Sequence, residues 1–174
     1  GEAWAFEDEL GREPDVIITS PGYTVRANGM DQWPNLYPVE MTPGLGITGE
    51  RWVRAVELRA TKPEFYGVFH HGSARVINRM PEDVYQGPGT HQPPPGVRAS
   101  QRDQLAEAAV GVKGVIYPEG TGRLLKEGDQ VLFNPHFYPA RLKEDLEDVS
   151  LQVGVWLYPE GEIPYPTEGD IVFD

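Results

Sequence analysis

The residues of this chain best suited to chemistry are its four histidines, His70, His71, His91 and His136. The sequence contains no cysteine, which excludes disulfides, thiolate metal sites, iron–sulfur clusters and cysteine nucleophiles. Imidazole nitrogens suit copper and zinc alike. A transition-metal site in this chain would therefore be built around these imidazoles.

His70 and His71 are adjacent within a long β-prone run, residues 65–78 (FYGVFHHGSARVIN). Neighbouring residues of a regular strand point to opposite faces of the sheet. Both imidazoles can reach one metal ion only if the strand bulges or ends there, and Gly72, which follows directly, would permit that distortion. An adjacent histidine pair taken alone is more often incidental than ligating.

His136 lies in a second β-prone run, residues 130–138 (QVLFNPHFY). The alternate residues Val131, Phe133 and Phe137 predict a buried face, which places His136 on the less apolar face of the strand. Pro135 favours an edge or bulged strand. This position suits a metal ligand, and it suits an ordinary surface histidine equally well.

Other motifs in the sequence give weaker evidence of function. Residues 44–49 match GxGxxG, but a strand-like run follows instead of the helix that a dinucleotide site needs, so a Gly-rich turn is the better interpretation. Neither GxSxG nor HExxH occurs. Exposed tryptophans would form a platform for sugars, although large aromatics are more often core. The tryptophans are Trp4, Trp33, Trp52 and Trp156.

The elements that must position the histidines are predicted to be short strands. With 20 Gly and 17 Pro in 174 residues, turns recur throughout, which favours an all-β, antiparallel β-sandwich over a helical bundle. One short helix is predicted over residues 101–109, with Ser100 as its cap. The β-like runs are residues 14–19, 23–27, 51–59, 65–78, 110–117, 130–138 and 149–158. We expect one domain over residues 1–160, followed by an acidic Pro/Gly-rich tail or linker, residues 161–174.

The charge and hydropathy of the chain limit the classes of partner that it can bind. The net charge of −12 repels phosphate backbones and argues against nucleic-acid binding. No apolar stretch has the length of a membrane helix, so no membrane span is expected. The first residues are not a signal peptide, and because Gly1 is not preceded by Met, a leader removed by processing stays open.

Three segments of the chain, in order, are similar to one known family. They are residues 14–33 (PDVIITSPGYTVRANGMDQW), 52–77 (WVRAVELRATKPEFYGVFHHGSARVI) and 117–139 (YPEGTGRLLKEGDQVLFNPHFYP). Together they resemble the first half of the copper type II, ascorbate-dependent monooxygenases, the family that contains peptidylglycine α-hydroxylating monooxygenase. The resemblance spans about residues 14–158 and includes the separation of 65 residues between His71 and His136.

The resemblance implies a jelly-roll β-sandwich and a copper site. By position, His70 and His71 match the family's adjacent pair and His136 matches its third ligand, forming a three-histidine centre that passes electrons from an external reductant. The family's second domain adds a His-x-His pair and a Met for oxygen activation, and no His-x-His occurs here. Complete monooxygenase activity is therefore not assigned to this chain, and a second domain or subunit is an expected partner.

Several alternatives stay open at this stage. Zinc is the less favoured metal, and with an open position it would activate water. The chain could instead be a non-catalytic binding module of an exported multidomain protein, or a copper-handling protein. His91 is either a solvated loop residue or a fourth ligand. We expect a periplasmic or extracellular location.

Overall fold

The computed structural model describes residues 3–27, 29–36, 46–77, 104–162 and 164, and the regular secondary structure in these ranges is almost entirely β-strand. One helical turn, α1 (Glu7–Leu10), and a 3-10 helix, Pro63–Gly67, accompany them. The strands are β1 (Val16–Thr19), β2 (Tyr23–Val25), β3 (Glu50–Ala60), β4 (Phe69–Ile77), β5 (Gln104–Ala108), β6 (Gly114–Ile116), β7 (Arg123–Lys126), β8 (Gln130–Phe137), β9 (Leu146–Val149) and β10 (Leu151–Leu157).

Every strand pairing in the described ranges is antiparallel. The largest sheet has the order β1-β10-β3-β6, with β7 pairing with the other end of β3. A second sheet has the order β5-β4-β8, and β2 pairs with β9. The three strands β5, β4 and β8 matter most here, because β4 and β8 carry the histidines.

One hydrophobic core lies between the sheets. Val56 of β3 and Val155 of β10 contribute from the largest sheet, while Ala74 of β4 and Phe133 of β8 contribute from the second. Two sheets joined by a shared apolar core are the arrangement of a β-sandwich. The predicted all-β, antiparallel class is confirmed, and the jelly-roll connectivity stays a prediction.

The outer face of the largest sheet is covered by the N-terminal segment. The Trp4 ring packs edge-on against Trp156 at 6.0 Å between centroids. Glu57 of β3 is only 2% exposed, and its carboxylate accepts hydrogen bonds from the backbone N–H groups of Ala5 and Phe6. The segment therefore buries the outer face of β3 and β10, whose inner face lies against the core.

The helix predicted over residues 101–109 is wrong. Residues 104–108 form strand β5, which pairs with β4 so that Ala106 lies opposite Ala74 and Ala108 opposite Gly72. Gln, Leu, Ala and Glu are all good helix formers, but helix propensity is a weak preference that tertiary strand pairing overrides. The structure also contains β7 and β9, which the sequence did not indicate, and residues 63–67 form a 3-10 helix before β4 begins.

Among the described residues, no helix has the length and hydropathy needed to cross a membrane. Most of the predicted tail, residues 161–174, lies outside the described ranges, as do His91 and Ser100.

Candidate metal centre

The side chains of His70, His71 and His136 meet at one point of the second sheet. Their Nδ1 atoms are 3.1 Å apart between His70 and His71, and 3.3 Å from each of these to His136. The three nitrogens therefore form a nearly equilateral triangle. Three imidazole acceptors that converge in this way form a group that could hold a metal ion.

The strand register explains how the three rings meet. His71 lies directly opposite His136 in the antiparallel β4–β8 pair, so their side chains emerge on the same face. The register shifts between Phe69 and His71, which leaves His70 as the extra residue of a β-bulge. The bulge turns His70 toward its neighbours, as the sequence required for an adjacent pair to share one ion.

Gly72 allows strands β4 and β8 to pack closely beside the histidines. A Cβ atom at this position would lie 3.0 Å from the Phe69 ring, 3.0 Å from the Pro135 Cα and 3.2 Å from the Asn134 carbonyl oxygen. Any side chain there would push β4 away from β8 beside the histidines. The glycine therefore permits the close approach of the two strands, while the irregularity itself lies at His70.

The donor spacing fits a tetrahedral metal ion. Ligands arranged tetrahedrally at metal–nitrogen distances of 2.0–2.1 Å stand roughly 3.3–3.4 Å apart. The observed Nδ1 separations of 3.1–3.3 Å are close to that spacing. Three neutral nitrogen donors that leave further positions open suit copper or zinc.

The Asp31 carboxylate contacts the nitrogen of His136 that does not face the other two histidines. The outer nitrogen of His136, Nε2, lies 2.8 Å from the Asp31 Oδ2 atom. The His136 side chain is 8% exposed, whereas that of Asp31 is 44% exposed. Histidines that bind metals commonly donate their second ring N–H to a carboxylate in this way.

An aromatic ring covers the same histidine. The Trp33 indole stacks on the His136 imidazole, with 3.7 Å between centroids and 3° between planes, and meets the His71 ring edge-on at 5.3 Å. Trp33 itself is 52% exposed. Its contacts with His136 and His71 make Trp33 one side of the site. Trp4 and Trp156, by contrast, are core residues, as the sequence suggested.

Asp31 and Trp33 belong to a short extended segment, residues 31–36, which we call the strap. The Gln32 backbone exchanges hydrogen bonds with that of Phe137, and Leu36 does the same with Phe133. Because Gln32 pairs with β8, the side chains of its two neighbours, Asp31 and Trp33, point to one face, and that face carries His136.

The strap is also tied to the rest of the molecule through polar side chains. The Gln32 Oε1 atom accepts from the Arg26 backbone N–H at 3.0 Å, and its Nε2 donates to the Arg26 carbonyl at 2.9 Å. The Asn134 amide donates to the Asn35 side-chain oxygen at 2.7 Å. These contacts hold the strap beside β8, and so hold Asp31 and Trp33 near His136.

The environment of the cluster is graded from buried to exposed. His136 is buried, His71 is half-buried and His70 is exposed. The pKa of His71 lies below its ordinary value of 6.5, chiefly because burial disfavours the charged ring; the charges of His136 and His70 lower it further, and Glu107 opposes them. A neutral His71 has a free nitrogen lone pair for a metal ion.

The exposed side of the cluster adjoins a cavity of about 190 Å³. Its lining includes His70, the side chains of Tyr66, Phe69 and Val112, and Lys113. The cavity therefore meets the cluster on the side of His70, which is exposed.

All three histidines singled out from the sequence converge, whereas His91 lies outside the described residues. Asp31 and Trp33 were not singled out as site residues. Both residues lie in the family-like run of residues 14–33, two positions apart. Nothing in the local sequence indicates that this run pairs with β8.

Comparison of the chain with models of protein families, with curated proteins and with solved structures gives no match.

Proposed function

We propose that this chain is a mononuclear copper-binding domain that resembles the electron-relay half of a copper type II monooxygenase. The observation that carries the proposal is the Nδ1 triangle of His70, His71 and His136, with sides of 3.1–3.3 Å. Bound copper would supply one-electron chemistry by cycling between Cu(I) and Cu(II).

Copper is preferred to zinc because of the order and spacing of the family-like segments, residues 14–33, 52–77 and 117–139. Imidazole donors suit both metals, and geometry and availability govern which metal a site takes more than affinity does. An exported location, periplasmic or extracellular, forms part of the same proposal.

The chain's own residues would bind and orient the metal. His71 and His136 present their nitrogens from paired strands, and the bulge adds that of His70. The stacked Trp33 ring limits water on the buried side, so an external reductant would approach along the exposed His70 side. The proposal covers electron relay alone, since the sequence has no His-x-His pair for a second copper.

The test is metal content and copper EPR after reconstitution with one equivalent of Cu(II). We expect about one tightly held copper per chain, with a type 2, nitrogen-rich spectrum. His71→Ala and His136→Ala should lose that copper. His91→Ala is the matched histidine control and should keep it.

Absence of stoichiometric copper from the unaltered chain would contradict the proposal. Equal loss in His91→Ala would show instead that four histidines form the site.

Copper handling is the second candidate, because the exposed position of His70 would let a bound ion pass to another molecule. Reduction of the bound copper by ascorbate, with the metal retained through repeated cycles, favours electron relay. Rapid loss of copper to a weak chelator on reduction favours copper transfer.

A further inference from the structure

We propose that Asp31 is a positioning residue of the metal centre, which fixes the protonation pattern of the His136 ring. The inference rests on the proposed function for its consequence in metal binding. The assignment of the His136 proton rests only on the contact between Asp31 and His136 in the metal-free chain.

A neutral imidazole carries one proton, on either Nδ1 or Nε2. The Asp31 carboxylate can only accept a hydrogen bond, and it lies 2.8 Å from the Nε2 of His136. The hydrogen therefore resides on Nε2. The lone pair is left on Nδ1, the atom that faces His70 and His71 at 3.3 Å.

Trp33 supplies the second constraint. Its indole lies parallel to the His136 ring at 3.7 Å, so the imidazole cannot rotate about its Cβ–Cγ bond without losing that contact. The carboxylate selects which nitrogen is free, and the indole holds the ring plane that aims this nitrogen at the cluster. Asp31 and Trp33 act from one strap, two residues apart.

The carboxylate also alters the donor strength of the ring. A negative partner at Nε2 makes the imidazole a stronger base at Nδ1, and removal of such partners typically weakens metal binding 10–100-fold. The same negative charge favours Cu(II) over Cu(I). Loss of Asp31 should therefore raise the reduction potential of the bound copper.

The first measurement uses the metal-free protein. Nitrogen-15 NMR of the imidazole rings should show His136 as the Nε2–H form in the unaltered chain. Asp31→Ala should populate both forms, and Asp31→Glu should restore the original one. A His136 ring that keeps the Nε2–H form in Asp31→Ala would overturn the assignment.

The second measurement is copper affinity, by competition with a chelator of known strength. Asp31→Ala should bind copper 10–100-fold more weakly. Glu107→Ala is the matched control, because that carboxylate acts on His71 through its charge and is exposed. Screening by salt should limit its effect to about threefold.

An equal loss of copper affinity in Asp31→Ala and Glu107→Ala would show that Asp31 acts only through its negative charge. Unchanged affinity in Asp31→Ala would refute the proposed effect on metal binding. If the unaltered chain binds no copper, the proposed function fails, while the NMR result still decides whether Asp31 sets the ring form.

Discussion

At the scale of single residues, the three clustered histidines have three different environments. His136 is buried between Asp31 and Trp33, His71 is half-buried, and His70 faces solvent. The buried ring would anchor an ion and the exposed ring would leave it accessible. This division of roles follows from position, because the three side chains are chemically identical.

The pH response of His71 follows from its surroundings. Burial holds its pKa below 6.5 in the folded chain, whereas the unfolded chain titrates near 6.5. Below that pH the unfolded state binds more protons, so this residue's contribution to stability is present above pH 6.5 and is lost as pH falls through the folded pKa.

Histidine NMR titration of the metal-free protein should therefore give a His71 midpoint below 6.5, and a denatured sample gives the reference value. A midpoint at or above 6.5 would contradict this account of the cluster.

At the scale of elements, the site depends on the β4–β8 pair and the strap. The bulge at His70 and the cross-strand pair of His71 with His136 are properties of the register, which is set along the full length of both strands. The backbone pairing of Gln32 with Phe137 adds the strap at the free edge of β8. A change in the spacing of these segments should therefore disturb all three rings together.

Gly72→Ala tests that dependence. The added Cβ would meet Phe69 and Pro135 at 3.0 Å, so we expect a loss of unfolding free energy of about 1–3 kcal/mol, as for overpacking elsewhere. Copper affinity should fall as well, because the two ligand strands separate. Gly67→Ala is the matched control, since no atom lies within 4 Å of its added Cβ. Denaturant unfolding and copper competition measure both effects, and equal stability of the two variants would refute the packing role.

At the scale of the whole molecule, the site joins segments far apart in sequence. The strap, β4 and β8 are separated by long stretches of chain, and only the folded state brings Asp31, His71 and His136 together. A ligand that binds the folded chain alone stabilises it by mass action.

Metal-linked stability is the corresponding prediction. At free Cu(II) about 100-fold above Kd, the folded state should gain about 2.7 kcal/mol, which raises the Tm by several degrees for a chain of this size. Thermal unfolding with copper and with a chelator measures the shift. His136→Ala should show no such difference, and a full shift in that variant would place the stabilising ion elsewhere.

The class of fold and the candidate ligands could both be predicted from the amino-acid sequence. Frequent Gly and Pro with short β-prone runs predicted an all-β chain, and the absence of cysteine left the histidines as donors. The alternation of side chains along a regular strand predicted that adjacent histidines can share an ion only where the strand is distorted. The register shift at His70 is such a distortion.

The other features of the fold and the site depend on contacts between strands that are distant in the sequence. Residues 104–108 became a strand because β4 offers an edge to pair with, which no local preference for helix can reveal. The supporting roles of Asp31 and Trp33 likewise depend on long-range pairing between the strap and β8, across about a hundred residues of chain. Local sequence encodes which side chains share a face, whereas the neighbour that each face meets is set by the packing of distant strands.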